Sequence, residues 1–240
     1  MKRLFPVVAT ALLAGGCQFG SKAESREAGP AVDRSYQVAS FDRIEVAGPY
    51  DVTVTSGGKP GVTARGGESV LNETEIVVEN GVLKIKPKKR NGFRWNFNGD
   101  NSVKIEVTTA ALRGATIAGS GDIKIDRVGG AFKGEVAGSG NLGIDRVEAD
   151  SVDLAIAGSG EVRAAGKTKK LDIAIAGSGD VDVSDLEAAV ADVSIAGSGN
   201  VRARATTTAD VSIMGSGDVE MTGGAKCTIS KHGSGDVRCS

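Results

Sequence analysis

The sequence predicts an all-β chain wound as a right-handed parallel β-helix, a β-solenoid of about 19 residues per coil with stacked Gly-Ser-Gly-Asp/Asn corners. Three observations predict it. The triplet Gly-Ser-Gly recurs with an acidic residue or Asn after it, ending at Asp122, Asn141, Glu161, Asp180, Asn200, Asp218 and Asp236, 18 to 20 residues apart. Apolar residues flank each copy at spacings of two. Ile117, Val136, Ile156, Ile175, Ile195 and Ile213 stand five before the last corner residue, and Ile123, Leu142, Val162, Val181, Val201, Val219 and Val237 stand one after it. Aromatics make up only 4% of the 240 residues while Gly numbers 35, which suits a narrow aliphatic core rather than a thick one built on aromatic area. A period of two means strands with one buried face. Strands of about 5 residues are not stable alone, but coils stacked about 4.8 Å apart satisfy the backbone and align the apolar columns. Right-handedness follows from the rule for parallel crossovers.

Residues 1–16 read as a lipoprotein signal peptide. Lys2 and Arg3 are followed by a short apolar stretch over 4–13 and by the small residues Ala14, Gly15 and Gly16 before Cys17. The apolar stretch is too short for a membrane span and has the flanks of an export signal. The junction resembles a bacterial lipobox, with Ala14 where Leu is usual, and implies lipidation of Cys17. Ordinary cleavage leaving a free thiol is the alternative. Gln18 after the Cys resembles outer-membrane sorting, so the expected location is that of an exported outer-membrane lipoprotein on the periplasmic or cell-surface face. Residues 17–40, the lipidated Cys and a polar stretch without periodicity, read as a flexible tether.

The solenoid is expected over 41–240, irregular over 41–108 and regular over 109–240. Ala47-Gly48-Pro49-Tyr50-Asp51 is a degenerate corner, with Ile44 and Val46 before it and Val52 and Val54 after it. Strands follow at 62–64, 76–78, 82–85 and 103–107, and Asn80-Gly81 reads as a tight turn. Residues 87–101 form a basic, aromatic excursion. Its Phe93, Arg94, Trp95 and Phe97 are candidate ligand contacts, since Trp and Arg together mark recognition sites; a cap over the open solenoid end is the other reading, and the one we favour.

Glycines on both sides of each corner Ser permit positive φ and close contact between coils. The corner ladder, Asp51, Asp122, Asn141, Glu161, Asp180, Asn200, Asp218 and Asp236, is expected to bond nearby backbone N–H groups. A calcium column is the alternative, but calcium-binding β-rolls repeat every nine residues. In the last coil Lys231 stands where other copies have Ile or Val. Cys227 and Cys239 fall on the inward columns of Leu171 and Val183. In an oxidising compartment they are expected to form a disulfide; two reduced, buried thiols are the alternative.

A net charge of -1 lacks the basic excess of a nucleic-acid binder. Three Cys and one His are too few for a structural zinc site. His232 has no triad partners, and no Gly-rich phosphate loop is present. Outward residues such as Lys124, Asp126, Asp153, Arg163, Asp172, Asp182, Ser194 and Arg202 read as scattered rather than as a tuned acid–base pair. The sequence therefore offers no catalytic residues, no cofactor and no metal site, and the chain reads as a non-enzyme.

Phe41-x-x-Ile44-x-Val46-x-Gly48, Asp51-Val52-x-Val54, Gly81-Val82-Leu83-x-Ile85 and the corner ladder resemble the bacterial GIN-domain family of adhesin heads. The resemblance covers about residues 38–238. It implies a β-helical envelope protein with no catalytic residues. The expected role is an adhesin-like or structural module, held to a membrane by its lipid, with a protein or glycan partner. A ligand-binding or sensing module for a glycan or a metal, Ca2+ on the acidic column, is the rival.

Overall fold

A computed structural model describes residues 26–88, 97–98 and 102–240, without the side chains of 26, 97 and 98. From 114 onward the chain is a stack of parallel coils. One face of each coil leads into the Gly-Ser-Gly corner, where Ile117, Val136, Ile156, Ile175, Ile195 and Ile213 are register neighbours, all buried. The next face leaves the corner and stacks Ile123, Leu142, Val162, Val181, Val201 and Val219, also buried. A short third face aligns Val128 with Val147, then Gly166 with Leu186. Register shifts fall between Gly130 and Ala131, between Ile144 and Val147, between Arg163 and Gly166, between Val183 and Glu187, and between Ala188 and Val190. Coils of 18, 19 and 20 residues thus differ only outside the two long faces. A one-residue slip inside a face would turn its whole apolar set outward.

The first coil is Arg43–Ala47 and Tyr50–Ser56, and the second, Gly114–Gly119 and Asp122–Ile125, stacks directly on it. The strands described between them lie on the other side of the first coil. Val82–Pro87 pairs parallel with Arg43–Ala47, and Val103–Thr109 with Tyr50–Ser56. Beyond this layer the pairing becomes antiparallel, within the stretch 41–108 expected to be irregular. Thr74–Glu79 joins Val82–Pro87 through Asn80 and Gly81, both at positive φ (53° and 77°). A two-residue turn of that kind can only join antiparallel strands. Gly61–Gly67 runs antiparallel to Val103–Thr109, and Ala31–Tyr36 antiparallel to Gly61–Gly67.

The strand Ala31–Tyr36 shortens the expected tether from its C-terminal side. Val32, Arg34 and Tyr36 are half-buried while their neighbours are exposed, and Arg34 donates to the Asn72 Oδ1 at 2.7 Å. The alternation was faint because a charged residue sits at its centre. Arg26–Glu27 pairs with Phe97–Asn98, so the backbone at 97–98 lies beside the first of the described residues. A one-turn helix, Glu68–Asn72, buries Val70 and Leu71 between the strands of this end. Among the described residues no helix is long and apolar enough to cross a membrane.

Candidate functional site

The corners set the spacing of every exposed group along the stack. The first Gly of each regular corner, from Gly119 to Gly233, has φ between 130° and 142°, a region that residues with a Cβ rarely adopt. The Ser after it donates its N–H to the carbonyl of the first Gly one coil back, at 2.8–3.0 Å from Ser139 to Ser234. The second Gly is needed for a different reason. A Cβ on Gly179 would stand 2.6 Å from both the Gly160 carbonyl oxygen and the Ile156 Cγ2. In the first coil Tyr50 occupies the second Gly position, where no regular corner precedes it. Its ring is buried and its hydroxyl lies 3.3 Å from Thr74 Oγ1, which in turn donates to the Val70 carbonyl at 2.9 Å. Burial pushes the Tyr50 phenol up to about 12, against the opposing pull of the Thr74 hydrogen bond.

The last residue of each corner links successive coils. Asn141 donates both its N–H and its Nδ2 to Asp122 Oδ1, at 2.8 and 2.9 Å. Asn200 repeats this on Asp180 Oδ1, with both distances 2.9 Å. The Asp218 N–H reaches Asn200 Oδ1 at 3.2 Å, and the Asp236 N–H reaches Asp218 Oδ1 at 2.8 Å. Glu161 interrupts the ladder. Its longer carboxylate turns to Arg163 at 2.6 Å, and the Asp180 N–H goes instead to the Gly160 carbonyl at 3.1 Å. Asp51 lies in register with Asp122. Among the described residues, no group of three or more His, Cys, Asp or Glu is arranged to hold a metal ion.

Two outward columns that read as scattered in the sequence are ordered in space. Arg163, Asp182, Arg202, Glu220 and Arg238 are successive register neighbours of alternating charge, with Arg202 3.8 Å from both Asp182 and Glu220. A shallow groove of about 390 Å³ runs between this column and the corner ladder. On the face before the corner, Asp153, Asp172, Asp192 and Asp210 stack in register, and Lys170 Nζ donates to Asp172 at 2.9 Å. Each of these aspartates stands eight residues before a corner residue, a signal the sequence held. Nearer the corner on the same face the outward residues are Ala157, Ala176, Ala196 and Met214, the last 68% exposed. The stack therefore offers rows of carboxylates, amides and guanidinium groups repeated at the coil spacing, a geometry suited to contact at many points along its length.

The other candidates fall as follows. Cys17, Phe93, Arg94 and Trp95 lie outside the described residues, and Phe97 is placed by its backbone alone. His232 is exposed, in register with Met214. Cys227 and Cys239 form a disulfide, their Cα atoms 6.7 Å apart. Cys227 follows Ala209 and Cys239 follows Met221 in two inward columns of the stack.

The family described as "Putative auto-transporter adhesin, head GIN domain" matches residues 40–225. Among solved structures, a "putative adhesin" from Bacteroides fragilis is 22% identical, with a TM-score of 0.81 over 88% of this chain and 97% of that one. A "putative adhesin" from Parabacteroides merdae is 18% identical, with a TM-score of 0.74 over 90% of this chain and 98% of that one. A "Putative lipid binding protein" from Parabacteroides distasonis is 26% identical, with a TM-score of 0.69 over 88% and 97%. No curated protein matches the chain.

Proposed function

We propose, from the premise that this chain belongs to the family of the "Putative auto-transporter adhesin, head GIN domain", that it is a cell-envelope module that works by binding and not by turnover. The observation that carries this reading is the stacking of exposed charged and amide groups in register over successive coils of one continuous stack. Such a surface contacts an extended partner at many points, each weak, whose sum is strong when geometry allows simultaneous engagement. The neighbouring solved structures named as adhesins share the fold over nearly their whole length. The module acts outside the cytoplasm, held to the outer membrane through a lipid on Cys17, with a protein or a glycan of the extracellular surroundings as its partner.

The test is attachment. Cells displaying the full chain, and the same cells without it, are applied to surfaces coated with extracellular-matrix proteins or with glycans. Raised attachment on at least one surface class is expected. Equal attachment on all of them would contradict the reading.

A further inference from the structure

Among the described residues, the coil formed by Lys226–Gly233 and Val237–Cys239 pairs only on the side facing the preceding coil. Open strand edges of this kind recruit further strands from other chains unless something prevents it. Apolar surface is available there, since Ile229 is 49% exposed and Val237 half-buried. A second copy presenting the same edge would meet both in line with the core columns.

One residue in that edge is out of character. Lys231 lies in register with Ile213, in the inward column that Ile117, Val136, Ile156, Ile175 and Ile195 fill upstream. Its Nζ donates to the Gly235 carbonyl at 2.6 Å and stands 3.9 Å from Asp236 Oδ1. Its side chain keeps 38% of its exposure, so the ammonium remains in contact with water at the end of the apolar column. A copy stacked on this edge would seal that charge beside Ile213 and strip its water, with one exposed carboxylate at 3.9 Å as its ionic partner.

We propose that Lys231 is a stop residue that keeps the rod from stacking end to end with a second copy. The Cys227–Cys239 disulfide complements it by tying the two strands of this coil together, so that the coil holds without another to cover it. The opposite end is closed differently, by antiparallel strands and the helix Glu68–Asn72. Inward-pointing charge is one of the devices by which sheet edges avoid association.

Sedimentation velocity on the exported chain carrying Cys17→Ser, so that no lipid drives association, tests this. That chain should sediment as a single-chain species. Adding Lys231→Ile should double the apparent mass at the same concentration, and adding Ile229→Lys to that variant should restore the single-chain species. Lys226→Ile, which removes the same charge at an outward position of the same strand, should leave it single. Lys231→Met serves equally if the Ile variant melts below the parent. A parent that is already double, a folded Lys231 variant that stays single, or equal association by Lys226→Ile would each overturn the proposal.

Discussion

At Gly179 an added Cβ would stand 2.6 Å from the preceding coil's backbone and from Ile156, so even Ala must push two coils apart. At Gly177, φ of 133° is the obstacle. Gly179→Ala should cost about 1–3 kcal/mol, in the range of other overpacking changes. Gly177→Val with Gly179→Val should cost more, lowering the melting temperature by about 2–4 °C per kcal/mol for a chain of this size. Arg163→Ala, at an exposed position, should stay within about 0.5 kcal/mol. A thermal melt of the three checks this. The corner carboxylate is a second case. Asp180 Oδ1 accepts two hydrogen bonds from Asn200, and at Asn200 an amide oxygen accepts the next N–H in the same place, at 3.2 Å. Asp180→Asn should therefore melt near wild type, while Asp180→Ala should lose about 0.5–1.5 kcal/mol. Equal melting of both variants would show that the carboxylate is not a backbone acceptor in solution. The aspartate column through Asp172 and Asp192 was harder to see in the sequence, because outward residues carry no apolar period and become a column only once the coils are in register.

Among the elements, the strands from 114 onward were legible because each repeats the same two-residue alternation at a fixed distance from its corner. The elements before them were legible one by one but not in their arrangement. Asn80-Gly81 announced a turn, yet the partners of Gly61–Gly67 depend on Ala31–Tyr36 and Val103–Thr109 coming together across the start of the stack. No local pattern encodes that choice. The strand Ala31–Tyr36 was lost to its polar composition, and the helix Glu68–Asn72 is too short to show a period. The last coil was better specified, since two Cys on inward columns and a Lys in place of Ile set it apart. Its disulfide closes a sequence separation of 12, a short loop whose bridge should contribute about 2–4 kcal/mol. Intact mass after alkylation without reductant should show Cys227 and Cys239 unmodified, and reduction should lower the melting temperature. Two alkylated Cys before reduction would contradict the bridge.

For the whole molecule, the stack from the first coil to the disulfide is a continuous parallel ladder, so whatever it binds meets a rigid periodic surface. On the proposed reading it does so from a membrane, which makes Cys17 the residue on which the biology turns, since loss of the lipid would release an otherwise intact rod. The direct measurement is detergent phase partition of the protein expressed in its own envelope, comparing wild type with Cys17→Ser and following the melting curve of each. The account predicts wild type in the detergent phase with a lipid mass on Cys17, and Cys17→Ser without lipid, either released into the aqueous phase or left unprocessed with residues 1–16 attached, with unchanged melting. A processed Cys17→Ser chain that stays with the detergent, or a wild type that never enters it, would contradict it.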